Sequence, residues 1–560
     1  MADLKGLRAR LGALQEERSQ WEPLWQDIRD YILPDTGHFS EDEHISAGKR
    51  YQRLYDAEAA DCVDIIAAGI LGGVSSPSRP WLRLTTMDKD LDDDPEVKQW
   101  LSDTQETMLM QFAKSEVYNA LHRSYLELPT YGTACTIVQR HPESCIDVQN
   151  LTIGEYWLAD NSYGRVDTMY RKISMTAKQM VQHFGFDACS SQVQASVKST
   201  PFKRFNVIHA IEPRLERDIM RHDAINKPWA SIYFEETASN GQVLSESGFD
   251  EFPVLAPRWL TSPSSVYGRG PGAKALSASK SLQRLQQRLA ILADYLTDPP
   301  VQYPSSYRGL LQHFRPGGRI PVNPGDNDAI RSAWQVQTDP SIIQALIQAR
   351  KQEIQRYFYV NIFQMIAASS ADGQRTATEV AALEQEKVMM MGPVLERLHT
   401  ELLDPLVTTT FNFMLEKGLI TKPPSALSGQ SLNVEYISVL AEAQKSADVN
   451  GILRTVQEIG TLAQFNPEAL DKLDVDKTID LLADKNGVPP SMIVAGRDVA
   501  MIRSQRAQQE QMQAQMAQAQ QSASTLKDLS QAYGGADQLT QSMSAIQDSA
   551  DAADGGTSPV

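Results

Sequence analysis

The stretch from Asp339 to Gly418 places the tightest limit on what this chain can fold into. Its spacing predicts a helix from Ser341 to Ile366, a small polar loop AASSADGQR, and a longer helix from Thr376 to Lys417. The first helix sets apolar residues on more than one face, with Tyr357, Phe358, Tyr359, Ile362 and Phe363 crowded together. The second is interrupted at Gly392-Pro393 and again at Pro405, yet its pattern resumes after each. A proline inside a helix costs about 3 kcal/mol and bends it, so such a path needs support from neighbours. A helix without a single polar face needs burial on several sides. Together these features predict that other copies of the same chain supply the packing.

A second long helix, Ala273 to Thr297, carries a stripe of Leu276, Leu282, Leu285, Leu289 and Leu292. Asp298-Pro299-Pro300 stops it, and a Pro- and Gly-rich insertion over 299–338 leads into the helix at Ser341. Two long helices flanking a compact insertion predict a stalk with a protruding tip.

At 560 residues the chain is long enough for two to four domains. A formal charge of −17 argues against gripping nucleic acid through a general basic surface, but not against letting it pass. Four cysteines, Cys62, Cys135, Cys145 and Cys189, lie far apart with no CxxC pair, which predicts a reducing compartment without a disulfide framework. The N-terminus has no apolar core of a signal peptide. The longest apolar run, Ile65 to Val74, is about half of what spans a bilayer, so no membrane segment is expected.

Upstream, Leu4, Leu7, Leu11, Leu14, Trp21, Trp25, Ile28 and Ile32 step by three or four, predicting one amphipathic helix that ends before Pro34, with Arg18 interrupting the stripe. A second helix is expected over about 49–72, with Ala57, Ala60, Ala67 and Ala68 on a small-residue face, then a strand at WLRLTT and a helix over 96–114. From Gly132 to about Leu260 the period shifts towards two, and six strand-like runs predict a single β-rich module containing a short helix, Thr176 to Phe184. Beyond Gly418 short helices follow, then a Gln-rich helix-compatible run from Asp498 and a Gly/Ser/Asp-rich end of disordered character.

Motifs for chemistry are sparse. YGRGPGAKAL, Tyr267 to Leu276, has glycines before a helix and a lysine, but Ala273 and Ala275 occupy the places where a phosphate-binding loop needs Gly and Ser/Thr. A helix-entry turn is the better reading. His141 with Cys145, and His209 with Glu212, have no third and fourth ligand at metal-site spacing. The acidic run Asp88 to Asp94 reads as a solvated turn. The rings at Tyr357 to Phe363 read as packing rather than base stacking. Neither an enzyme nor a cofactor is indicated.

Several segments, taken in order, resemble the head-to-tail connector, or portal, proteins of short-tailed bacteriophages. They are RSQWEPLWQDIRDYILPDTGHF, TIGEYWLADNSYGRVDTMYRKISMTAKQMVQHFG, FPVLAPRWLTSPSSVYGRGP, DPPVQYP and RTATEV with MGPVLERLHTELLDPL, spread over about residues 1–500. The resemblance implies a mainly α, α+β portal fold without catalysis. Its wing would cover 1–270, its stem helices 271–298 and 339–366, and its clip 299–338. A tunnel loop would occupy 367–376, a long kinked helix and further wing 377–435, a crown 436–505, and a Gln-rich tail 506–560. It further implies a ring, usually of twelve copies, at one capsid vertex of the virion, made in the host cytoplasm. Double-stranded DNA would pass through the axis. The terminase large subunit, tail adaptor or nozzle proteins, and the major capsid and scaffolding proteins would be partners. On that map Ser369, Ser370, Asp372, Gln374 and Arg375 of the loop, and Lys387 beyond it, are the candidates for facing DNA. Arg308, Arg315, Arg319 and Arg331 of the clip are the candidates for docking acidic partners. Twelve copies would carry roughly −200 in formal charge, which favours a largely repulsive channel with few basic contacts. An internal scaffold or core protein of a virion is the alternative; it leaves the β-rich module and the stalk unexplained. A packaging ATPase would need the phosphate-binding loop that is missing.

Overall fold

The structure is a computed structural model that describes residues 3–39, 50, 52, 54–86, 88, 91, 94–221, 223–236, 243–263, 265–297, 301–302, 331–332, 339–362, 391–427, 432–436, 451–462, 473–485, 492, 494 and 496–532. These fall into two units, 1–451 and 452–560. Among the described residues no helix is long and apolar enough to cross a membrane.

The first unit opens with two helices where the heptad pattern predicted one. Helix α1 (Leu4–Ser19) is capped by Asp3, whose carboxylate accepts from the Lys5 amide, and α2 (Glu22–Tyr31) begins anew after Gln20-Trp21. Pro23 explains the interruption: it has no N–H to give Ser19, and its ring favours a first turn over a helix interior. The two helices then serve different cores. Leu7, Leu11 and Leu14 pack on Trp157, Tyr170, Ile208 and Ile232, whereas Trp25 and Ile28 enter the main core. Arg18, which interrupts the leucine stripe, is a buried anchor. Its guanidinium donates to the carbonyls of Gly154 (2.7 Å) and Tyr156 (2.9 Å), pairs with Glu22 (2.8 Å), and lies 4.3 Å above the Trp157 ring.

The expected single β-rich module is two sheets. Strands β4 (Tyr156–Asp160), β5 (Val166–Thr176), β6 (Arg204–Pro213), β7 (Trp229–Glu235) and β8 (Val243–Phe249) form an antiparallel sheet in sequence order. One face holds α1; side chains of the other meet α6 (Ala177–Phe184) and α7 (Ser191–Ser199) through Met180, Val193, Val207 and Leu244. Thr176 and Gln179 close a capping box at the start of α6. A separate three-stranded sheet, β3 (Cys145–Leu151), β2 (Cys135–His141), β9 (Val254–Leu255), lines the main core.

The main core gathers α3 (Glu58–Val74), α4 (Pro95–Lys114) and α5 (Val117–Tyr131) around Ile66, Trp81, Phe112 and Tyr125. Helix α3 begins at Glu58 rather than near Lys49, because the preceding turn at Tyr55-Asp56 is tied to a neighbouring helix. Its packing face is also rotated from the expected one: Ala59, Cys62, Val63, Ile66 and Ala67 are buried, while Ala57 and Ala68 are exposed. Strand β1 (Leu82–Thr86) pairs antiparallel with β12 (Leu432–Tyr436), tying two segments of this unit that are far apart in sequence.

In the second unit, helical residues 452–462, a helix at Val475–Lys485 and a long helix at Gly496–Ala532 are described, with Arg503 pairing to Asp476 at 2.6 Å. Residues 463–472, 486–491, 493, 495 and 533–560, where part of the expected short helices and the Gly/Ser/Asp-rich end fall, lie outside the described residues.

Candidate functional site at the paired helices

Two helices flank the insertion, as their sequence predicted. Helix α8 (Pro271–Thr297) leads out, α9 (Pro340–Tyr357) leads back, and between them the antiparallel pair β10 (Val301–Gln302) and β11 (Arg331–Ser332) joins the two ends of the insertion. At 1.5 Å per residue α8 is about 40 Å long. The glycines at its start are a packing device, not a phosphate loop. A Cβ on Gly268 would lie 2.2 Å from the Gly132 carbonyl, on Gly270 2.4 Å from that of Pro129, and on Gly272 2.2 Å from that of Thr130. The chain entering α8 is therefore pressed backbone to backbone against the end of α5.

The inner half of the pair is held by a polar knot. Lys351 of α9 reaches Asp56 (2.9 Å) and Glu58 (3.1 Å). Gln283 of α8 accepts from the amides of Tyr55 and Asp56 and donates to the Asp56 carbonyl, while Gln286 donates to the Asp56 carboxylate at 2.7 Å. Gln355 adds a bond to Glu58 at 2.7 Å. Burial opposes ionisation of Asp56, but the Lys351 ammonium, the Glu58 amide and Gln286 outweigh it and hold the carboxyl below its ordinary value. Desolvation likewise disfavours charged Lys351, and its two carboxylates overcome this and raise its pKa. The charges of Lys351, Asp56 and Glu58 are thus matched within the cluster, as a half-buried site requires.

The outer half differs. Ile291 (46% exposed), Tyr295 (44%) and Leu296 (51%) on α8, with Ile342 (59%) and Leu346 (45%) on α9, stand in solvent. On the same two helices Ala275, Leu282, Ile347 and Ile354 are buried.

Helix α9 was expected to run to Ile366, but it ends at Tyr357. Phe358 turns fully into the core and Tyr359 takes a left-handed backbone (φ 56°), which costs an L-residue about 1–2 kcal/mol. Burial of Phe358 and Val360, and stacking of Tyr359 on Trp259 at 6.5 Å, offset that cost. Residues 360–362 are again helical, and 363–366 lie outside the described residues.

The chain then resumes as helix 391–398, a π-helical turn at His399–Leu403, and a helix at Asp404–Glu416. Pro405 was expected to break this helix. Instead, the Asp404 amide bonds to the His399 carbonyl five residues back, a wider turn that lets the helix continue through Pro405. Glu401, within the π turn, accepts from the Arg258 amide (2.9 Å) and guanidinium (2.6 Å). Arg258 is 4% exposed and also donates to the carbonyls of Gly164 and Val266. Arg258 and Trp259 thus hold the two ends of the path on either side of 363–390, one through an ion pair and one through a ring.

Of the residues singled out in the sequence, Ser369, Ser370, Asp372, Gln374, Arg375, Lys387, Arg308, Arg315 and Arg319 lie outside the described residues; Arg331 is described by its backbone, which pairs with Gln302. His141 and Cys145 face each other across β2 and β3, with the His141 Nδ1 accepting from the Ser144 amide at 3.1 Å. His209 is fully buried, bonded to Arg171 (3.1 Å) and Ser231 (2.9 Å) and stacked 3.9 Å from Tyr233, and desolvation first, then Arg171, pushes its pKa well down. Glu212 instead accepts from the Tyr170 hydroxyl at 2.8 Å. Among the described residues no group of three or more His, Cys, Asp or Glu is placed to hold a metal ion. Sequence reading missed Lys351, Gln283 and Arg258. The last stood out only as a charge within the apolar run FPVLAPRWL.

Residues 4–494 match the model of a family described as Bacteriophage head to tail connecting protein. The chain is 41% identical over 527 residues to a probable portal protein of Bordetella phage BPP-1, covering 94% of this chain and 95% of that protein. It is 38% identical over 529 residues to the portal protein of Salmonella phage epsilon15, again covering 94% and 95%. Among solved structures, a chain from the virion of a native gene transfer agent particle matches 74% of this chain and 89% of that one at 10% identity, with a TM-score of 0.36. One from the neck of the empty particle matches 75% and 90% at 10% identity and 0.32. Those two scores are too low to bear on fold or function.

Proposed function

This chain belongs to the bacteriophage head-to-tail connecting proteins, the portal proteins of the virion, and from that premise we propose that it forms a closed ring of copies, twelve in number, at one capsid vertex. Duplex DNA enters and leaves through the ring's axis. The helices α8 and α9 are its stem, and the insertion 299–338 is a clip that docks the terminase large subunit during packaging and tail adaptor proteins afterwards. Residues 1–270 and 377–435 form the wing that meets capsid and scaffolding proteins, and 436–505 the crown. The role is structural and requires no cofactor.

The observation that carries this reading is the half-satisfied helix pair. Its inner half is buried and hydrogen-bonded within the chain, and its outer half presents Ile291, Tyr295, Leu296, Ile342 and Leu346 to solvent. Apolar side chains grouped in this way call for a partner surface, and in a ring the neighbouring copies provide it. Electron microscopy of the purified full-length protein tests the reading. A ring with a central hole wide enough for a DNA duplex is expected; a filament or a monomer would favour an internal scaffold or core protein instead. Deleting 305–332 should then leave rings that no longer bind the packaging motor, and Arg375→Ala should leave assembly intact while impairing packaging.

A further inference from the structure

One end of the five-stranded sheet is basic and aromatic in an acidic protein. Residues 174–206 hold Lys178, Lys198, Lys203 and Arg204 against Asp187, a net +3, which leaves −20 for the rest of a chain of −17. The backbone gathers these cations. The Ala177 and Lys178 amides at the start of α6 donate to the carbonyls of Lys203 (2.9 Å) and Pro201 (3.1 Å), and the Arg204 guanidinium donates to the Ser174 carbonyl (3.2 Å). Lys198, in the last turn of α7, lies 5.9 Å over the Phe186 side chain, and Lys203 lies 5.3 Å over that of Phe205. Phe202, in the same turn as Lys203, is 78% exposed. All four cations are exposed, and none has an ion-pair partner among the described residues.

An exposed phenyl group among cations has the make-up of a protein-docking face. The aromatic side chain supplies apolar area to bury, and the charges select an acidic rim. A phosphate backbone would meet the cations and leave Phe202 unused. The chain itself carries a matching surface. On α4, Glu96, Gln99, Asp103, Glu106 and Met110 are all exposed and, at 100° per residue, fall within about 80° of one another. Lys114, at the end of the helix, is the one cation on that stripe. Glu96, Asp103 and Glu106 have no ion-pair partner among the described residues, and Met110 is 56% exposed. The run from Asp88 to Asp94 just before the helix adds five acids against Lys89. A polarizable methionine beside carboxylates answers a phenyl group beside ammonium and guanidinium groups. The two faces belong to different cores, α4 to the main one and α6 and α7 to the sheet. A contact between unlike faces joins copies head to tail, the arrangement that can close into a ring. Resting on the ring reading above, we infer that the basic end of the sheet docks on the acidic face of α4 in the next copy. Phe202 then packs on Met110, while Lys203 and Arg204 meet Asp103 and Glu106.

The test uses the full-length chain and charge reversal. K203E/R204E leaves both faces acidic and D103K/E106K leaves both basic, so each variant alone should lose its rings under the electron microscope. Mixed in equal amounts, the two should recover rings in which they alternate. The four positions are exposed, and circular dichroism checks that each variant is folded. A second measurement needs no reversal. In chains carrying F202C/M110C, oxidation after assembly should link copies into a ladder longer than dimers, which neither single substitution can give. The native cysteines are buried and do not compete. Rings formed by K203E/R204E alone overturn the inference, and if those rings have lost binding to a DNA duplex, the face is assigned to nucleic acid instead. An equal mixture that stays unassembled, with no ladder from the cysteine pair, overturns it as well. Failure of the wild-type protein to form rings would instead contradict the ring reading, which keeps the two failures distinct.

Discussion

The five-stranded sheet and the paired helices α8 and α9 treat apolar surface in opposite ways. The sheet is covered on both faces by elements of its own chain: α1 lays Leu7, Leu11 and Leu14 on one side, and α6 and α7 bring Met180 and Val193 to the other. The helix pair is finished only at its root, where Lys351, Gln283, Gln286 and Gln355 lock it to residues 55–58. Its far half leaves five large apolar side chains uncovered. A region complete within one chain should fold and hold as a monomer property, whereas the helix pair should depend on assembly for part of its stability. The difference is one of what surrounds each element, not of helix against sheet.

Weakening each region in turn separates the two, because only the helix pair should respond to assembly. Phe234→Ala, in the sheet's buried face, should cost about 3–5 kcal/mol in the dissociated chain, measured by denaturant unfolding, and assembly should not restore it. Lys351→Met leaves Asp56 and Glu58 without their cation; a loss of about 2 kcal/mol is expected, smaller because the site is half-buried. Acid separates the regions further. His209 is held neutral in the fold, well below its ordinary 6.5, so the unfolded chain takes up its proton first and stability falls as pH drops below that value. Asp56 behaves as a depressed carboxyl: its contribution is present above its ordinary 3.8 and is lost only as pH falls through its lower folded value. The difference in stability between wild type and His209→Gln should therefore change between about pH 6.5 and 5, while that between wild type and Asp56→Asn should stay flat there. Ile291→Ser with Leu346→Ser should have the smallest effect on the dissociated chain, within about 0.5 kcal/mol, while lowering the yield of rings seen by sedimentation.

Periodicity revealed the elements that are regular and locally determined. The leucines of α1, the alternation along β4 to β7, and the two long helices around 299–338 were all legible, because a helix stripe or a pleat repeats within a dozen residues. What it missed depended on distant contacts. β8 (VLSESGF) has too few apolar residues to show as a strand and exists through its ladder with β7; β12 pairs with a strand some 350 residues away. Helix α5 was overlooked because Pro129 lies inside it. Nor does any local pattern announce that Tyr359 turns left-handed, or that Pro405 is absorbed by a π turn pinned through Glu401 to Arg258. The glycines before α8 were visible, but their reason, contact with the backbone at 129–132, belongs to the fold. The candidate site was legible as a whole, a stalk needing neighbours; the residues that root it were not, since Lys351, Asp56 and Gln283 are separated widely in sequence.

Oxidative footprinting of Tyr295, Ile291 and Leu346 in the assembled and the dissociated protein shows whether neighbouring copies cover the outer half of the helix pair. All three are exposed in the single chain, so hydroxyl radicals should label them readily there. If neighbouring copies complete the helix pair, labelling of all three falls sharply on assembly. Equal labelling in both states would show that the outer half of the pair is not where the copies meet.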